Sequence, residues 1–188
     1  MRLAIFGGTF DPIHQAHLAV AREAADRFHL DRVVFVPADH PPHKSGVTHA
    51  PYADRLRMTE LACQADSRFE ASDIEAGTPR SYSIQNIEKV RESLSAADEL
   101  FFIIGADAFS EVRTWHRWRD VAASVRFLVV SRPGHGYHVP SEVALDRLDT
   151  LDLPISSSEI REQLRRGDRP AAVPAAVLDY ITLHRLYH

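Results

Sequence analysis

Short apolar runs of strand length alternate along this chain with segments of helical period, and that alternation limits the folds open to it. The runs are Leu3–Phe6, Val33–Val36, Phe69–Ile74, Leu100–Ile104, Val125–Val130 and, more weakly, Leu151–Ile155. Their Val, Ile and Phe content favours strands, and several are apolar throughout, as strands covered on both faces are. Between them Leu18, Ala21, Ala25 and Phe28 recur at helical spacing, as do Met58, Leu61, Ala62 and Ala65. Ile84, Ile87 and Val90 form a third set, and Val177, Tyr180 and Ile181 a last one. The expected architecture is α/β: a doubly wound, mostly parallel sheet with helices on both faces and right-handed crossovers. In such sheets ligands bind outside the carboxyl ends of the strands.

A chain of 188 residues, 45% apolar and 26% charged, suits one domain spanning residues 1–188. Its single cysteine, Cys63, excludes an internal disulfide, a Cys-based zinc finger and a CxxC redox pair, and points to a reducing compartment. No run is long enough to cross a bilayer, and Gly7-Gly8 arrives too early for a signal-peptide core. A cytoplasmic protein is expected. The net charge of -4 gives no reason to expect nucleic acid or membrane as a partner. Two stretches rich in proline and histidine, Pro37 to Pro51 and Arg132 to Pro140, read as loops.

The first strand runs into Gly7-Gly8-Thr9-Phe10-Asp11-Pro12-Ile13-His14-Gln15-Ala16-His17. Paired glycines at a strand end allow either a plain turn or close approach of the backbone to a ligand. A following helix start suits a phosphate, and His14 and His17, three apart, share one face of it. The spacing matches neither the dinucleotide fingerprint nor the P-loop. An H-x-x-H pair can also chelate zinc, but zinc asks for three or four ligands. Near the other end, Ser156 and Glu159 fit a capping box, and Ser157, Ser158 and Arg161 could equally form an anion site. Lys44, in the first loop, is either a surface lysine or a mobile charge for phosphates. Asp107, after the fourth run, can accept ribose hydroxyls, cap the helix behind it, or do both. Core packing is the default for Trp115 and Trp118.

The motif at Gly7–Leu18 resembles the first signature of the nucleotidyltransferase superfamily, and Ile155–Arg161 resembles its second. Between them Pro41–Lys44, Arg80–Ser83, Ile104–Asp107 and Ser131–Gly134 are similar to segments of the bacterial nicotinate-nucleotide adenylyltransferases, as is the ending Tyr180–Tyr187. The likeness runs the length of the chain in the right order and implies a Rossmann-like nucleotidyltransferase fold. It implies ATP contacts from Gly7, Gly8, Thr9, Phe10, Asp107, Ser157, Ser158 and Arg161. His14, His17 and Lys44 would act on the reacting phosphates. Trp115 would stack on a pyridine ring, main-chain N–H groups of Tyr82 and Ser83 would take its carboxylate, and the His116 main chain would assist. Two departures stand out: Ala16 replaces the glycine of the first signature, and Gln85-Asn86 replaces an Asp-Thr pair, which bears on helix capping.

The reaction this implies is adenylyl transfer from ATP to nicotinate mononucleotide, giving nicotinate adenine dinucleotide and pyrophosphate. Mg²⁺ would travel with ATP, with no metal held by the protein itself. A homo-oligomer is compatible with the sequence. Rival readings are a sister transferase acting on another phosphomonoester, a metal-dependent hydrolase built on Asp11, His14 and His17, and a nucleotide sensor without catalysis.

Overall fold

The computed structural model describes residues 1–41, 48–131, 139, 143–148 and 154–187. Strands β1 (Arg2–Gly8), β2 (Arg32–Pro37), β3 (Phe69–Ala71), β4 (Glu99–Gly105), β5 (Arg126–Val130) and β6 (Leu145–Leu148) form one sheet in the order β3-β2-β1-β4-β5-β6. Every pairing is parallel. The strand order reverses between β1 and β4, the switch point at which doubly wound sheets open a crevice.

Successive strand residues point to opposite faces, so each strand feeds two cores. Ala4, Phe6, Phe35, Phe101 and Ile103 pack with residues of helices α1 (Gln15–Arg27), α2 (Tyr52–Cys63), α6 (Ser157–Arg165) and α7 (Ala175–His184). Leu3, Ile5, Val34, Phe102 and Ile104 pack with α3 (Ser83–Arg91), α4 (Ala106–Ser110), α5 (Trp118–Ser124) and a 3-10 turn at Val112–Thr114. The sheet is thus covered on both sides, as continuous apolar strands require. No helix among the described residues is long and apolar enough to cross a membrane.

Three expectations need correction. The third strand ends at Ala71 rather than Ile74, because after Ser72 donates to the Phe35 carbonyl (2.9 Å) the chain turns, with Gly77 at φ +70°. The last strand is Leu145–Leu148, not Leu151–Ile155; residues 151–153 lie outside the described residues, and Pro154 and Ile155 are not in a strand. An edge strand needs little apolar content: Leu148 reaches one core and Leu145 the other, while Asp146 pairs with Arg126 on β5. Finally, α2 stops at Cys63, short of Ala65.

Candidate active site

The end of β1 is shaped by one aromatic side chain. Phe10 adopts φ +48°, a left-handed conformation unusual for a bulky residue, and its ring is 2% exposed. It packs edge-on against Phe6 (5.7 Å) and His17 (5.0 Å). A Cβ on Gly8 would lie 2.8 Å from that ring, so glycine is required there for the turn to close. At Gly7 a Cβ would meet only Phe102, at 3.7 Å, which is ordinary contact. With its ring enclosed, Phe10 can offer a ligand only its main chain.

His14 is the N-cap of α1 and His17 lies three residues on, inside the first turn. Their rings stack at 3.8 Å with 25° between planes. The His14 N–H donates to Nδ1 of His17 (3.2 Å), which fixes the His17 tautomer: Nδ1 accepts, so the proton sits on Nε2 and makes that atom a donor. His14 is buried, and desolvation pulls its pKa down to about 4, so its ring is neutral at neutral pH. Its Nδ1 is buried without a hydrogen-bond partner among the described residues. Ala16, the departure from the usual glycine, is the second residue of α1, which forms undisturbed.

The second signature docks on the first. Ser156 caps α6, its side chain accepting from the Glu159 N–H (3.2 Å). Ser157 Oγ donates to the Pro12 carbonyl (3.1 Å), and Arg161 donates to the Asp11 carbonyl (2.7 Å) and to Ser158 Oγ (3.1 Å). A guanidinium, two hydroxyls and the stacked histidines therefore share one rim at the carboxyl end of β1. Such a set provides charge and donors for phosphate oxygens.

Asp11 holds this rim together. Its carboxylate accepts from the N–H groups of His49 (2.8 Å) and Ala50 (3.1 Å) and from the Tyr187 hydroxyl (2.8 Å). Burial against that carboxylate drives the Tyr187 hydroxyl pKa far upward, so it stays a donor. Lys44 lies outside the described residues, on the segment between His40 and His49.

Across β1 the crevice deepens into a cavity of ≈ 330 Å³. Gly7, Gly8, Thr9, Val36, Phe102, Ile104 and Gly105, at the strands' carboxyl ends, form its floor. Tyr82, the N-cap of α3, and Ser83, its first residue, also line it, and the Tyr82 side chain does not cap that helix. Trp115 and His116 line it too. The Trp115 indole stands edge-on to Phe102 (6.0 Å), and its Nε1 is buried without a partner among the described residues. His116 lies over the Tyr82 ring (4.6 Å). Trp118 does not line this cavity; Arg113 and Arg119 sit over its ring at 5.7 and 4.8 Å. Asp107 is exposed at the second position of α4, and the N-cap role expected of it belongs to Gly105.

Sequence reasoning missed Arg55, a fully buried arginine on α2. It donates to the carbonyls of Ala50 (3.2 Å), Thr9 (2.8 Å) and Ala38 (2.7 Å), tying the glycine turn to the exit of β2 and the start of α2. Burial lowers its pKa from the free value. A signal existed: Arg55 shares a helix face with Met58, Thr59 and Ala62, all buried.

A doubly wound sheet with a phosphate rim beside an open, mainly apolar cavity defines a nucleotide-handling α/β protein, and the chain belongs to the cytidylyltransferase-like family, which matches residues 5–163. Within that class it is a member of the nicotinate-nucleotide adenylyltransferase family. A Solibacter usitatus protein named "Probable nicotinate-nucleotide adenylyltransferase" is 66% identical over 100% of both chains. Proteins of the same name are 40% identical in Geobacter sp. strain M21 (100% of this chain, 98% of that one) and 38% in Acidothermus cellulolyticus (99% and 94%). The fold matches a nicotinic acid mononucleotide adenylyltransferase of Plasmodium falciparum complexed with NaAD, at TM-score 0.79 and 20% identity, covering 99% of this chain and 97% of that one.

Proposed function

We propose that this protein transfers the adenylyl group of ATP to nicotinate mononucleotide, forming nicotinate adenine dinucleotide and pyrophosphate. The observation that carries the proposal is that Tyr82, Ser83 and Trp115 line one cavity at the switch point of the sheet. An aromatic ring and a helix start lining one cavity suit a ligand ring that carries a carboxylate. The high identity to relatives carrying that name supports the same reading.

In this account the pyridine ring stacks on Trp115 and its carboxylate meets the N–H groups that open α3. The mononucleotide's 5′-phosphate oxygen attacks the α-phosphorus of ATP in line as the bond to the β-phosphate bridging oxygen breaks. Pyrophosphate leaves with that bonding pair, and no covalent enzyme intermediate forms. The protein's part is positioning and charge stabilisation. His17 donates from Nε2 to the phosphate oxygens, and the neutral His14 ring braces it. Ser157, Ser158, Arg161 and Lys44 contact the triphosphate, Gly7, Gly8, Thr9 and the Phe10 main chain pass beneath the nucleotide, and Asp107 accepts from its ribose. The His116 main chain closes over the pyridine carboxylate.

Mg²⁺ fits this donor set as an ion carried by the triphosphate and water, where it neutralises phosphate charge. No group of three or more His, Cys, Asp and Glu converges among the described residues. The lone pair of the His17 ring, on Nδ1, already accepts from the His14 N–H, and Asp11 is committed to N–H and O–H donors. Those facts disfavour the hydrolase reading.

The acid mononucleotide is expected to exceed the amide by at least about tenfold in kcat/KM. A charged hydrogen bond contributes ~1.5–3 kcal/mol, and an amide turned the wrong way leaves a donor unpaired at comparable cost. Steady-state kinetics of both mononucleotides at saturating ATP give the ratio; a value near one refutes the carboxylate assignment.

A further inference from the structure

Glu75 is a buried carboxylate with no part in the proposed transfer. It lies in the turn after β3, is 4% exposed, and lines the cavity. Among the described residues its three hydrogen-bond donors are all neutral. Oε2 accepts from the Asp39 N–H (3.0 Å) and from the Ser81 hydroxyl, and Oε1 accepts from Asn86 Nδ2. Ser81 Oγ in turn accepts from the His40 N–H (3.0 Å). Burying an anion with only neutral donors is costly, and the fold alone gives no reason to bear that cost.

The positions of the donors supply a reason. Ser81 immediately precedes Tyr82, and Asn86 lies one turn into α3, so Glu75 grips the first turn of that helix from both ends. Asp39 and His40 belong to the chain leaving β2, so the same carboxylate ties α3 to the sheet. An acceptor-only group suits a point where an N–H, a hydroxyl and an amide all donate inward. The Tyr82 side chain does not cap α3, so the opening N–H groups of the helix depend on this grip for their aim.

We infer that Glu75 is a positioning residue that fixes the Tyr82–Ser83 N–H groups for the ligand's carboxylate, and that it sets preference for the acid mononucleotide without touching it. The inference rests on the function proposed above. It also gives the Gln85-Asn86 departure a meaning: Asn86 supplies an amide donor to Glu75, whereas Gln85 is exposed.

The test is steady-state kinetics with both mononucleotides and ATP, together with thermal unfolding, on wild type and three variants. Glu75→Ala should raise KM for nicotinate mononucleotide tenfold or more, leave KM for ATP within about twofold, and bring the acid-to-amide ratio close to one. Ser81→Ala should move the same quantities several-fold, and it decides the matter if Glu75→Ala does not fold. Glu75→Gln should keep the wild-type ratio, because its amide oxygen can still accept from Asp39 and Ser81 while the Asn86 amide rotates to accept from the new NH₂. The inference is overturned if Glu75→Ala and Ser81→Ala lower the melting temperature with the ratio intact, or shift both substrates and ATP alike. Failure of the underlying function appears instead in wild type, as no acid-dependent turnover, and removes the inference with it.

Discussion

His17→Ala is expected to lower turnover by ~10²–10³ while the protein stays folded, the usual cost of removing one donor aimed at charge developing on the reacting atoms. The geometry makes His17 more specific than a generic histidine. Its Nδ1 is engaged by the His14 N–H, so only Nε2 can donate, and stacking on His14 limits its rotation. The loss should fall equally on kcat and kcat/KM, the pattern of an interaction made mainly in the transition state. Because His17 is half-buried, the melting temperature should change little. A folded variant with unchanged kcat would remove His17 from the mechanism.

Arg55→Met should be the most destabilising single change near the site. Methionine fills much of the same volume but strands the carbonyls of Thr9 and Ala38, which now accept at 2.8 and 2.7 Å, and leaves Ala50 short of a donor. A buried acceptor left without a partner costs about 1–3 kcal/mol. Together these imply about 3–5 kcal/mol and a melting temperature roughly 10 °C lower. Thermal unfolding checks this directly, and a shift of only about 2 °C would show that the turn does not depend on Arg55. Since Thr9 lines the cavity, the loosened variant should also lose activity before it unfolds.

The strands that were legible in the sequence are those buried on both faces. β1, β2, β4 and β5 must be apolar at nearly every position, and β1 to β4 packing leaves Ile5 and Ile103 with no exposure. Edge strands carry no such demand, so β6 needed only Leu145 and Leu148 and went unread. The short helices α4 and α5 bury few residues, Phe109 in one and Val121 and Ala122 in the other, too few to set up a visible period. α6 was found through its cap, because Ser156 and Glu159 sit at fixed local spacing.

The site divides in the same way. Gly8, His14, His17, Ser157 and Arg161 are held by contacts within or between short motifs, and the spacing of those motifs carries the signal. Glu75 is different: its partners Asp39 and Asn86 come from separate elements, and a polar turn has no period to betray burial. Arg55 hides for another reason, since an arginine on a helix faces solvent by default and only its apolar neighbours mark it as buried.

Product identification tests the proposed adenylyl transfer most directly. Purified protein, ATP, Mg²⁺ and nicotinate mononucleotide should yield one pyrophosphate for each nicotinate adenine dinucleotide formed, with no pyrophosphate when the mononucleotide is left out. Phosphopantetheine offered in its place should give no product. ATP bound without pyrophosphate release, or preferential adenylylation of a phosphomonoester lacking the pyridine ring, would contradict the account.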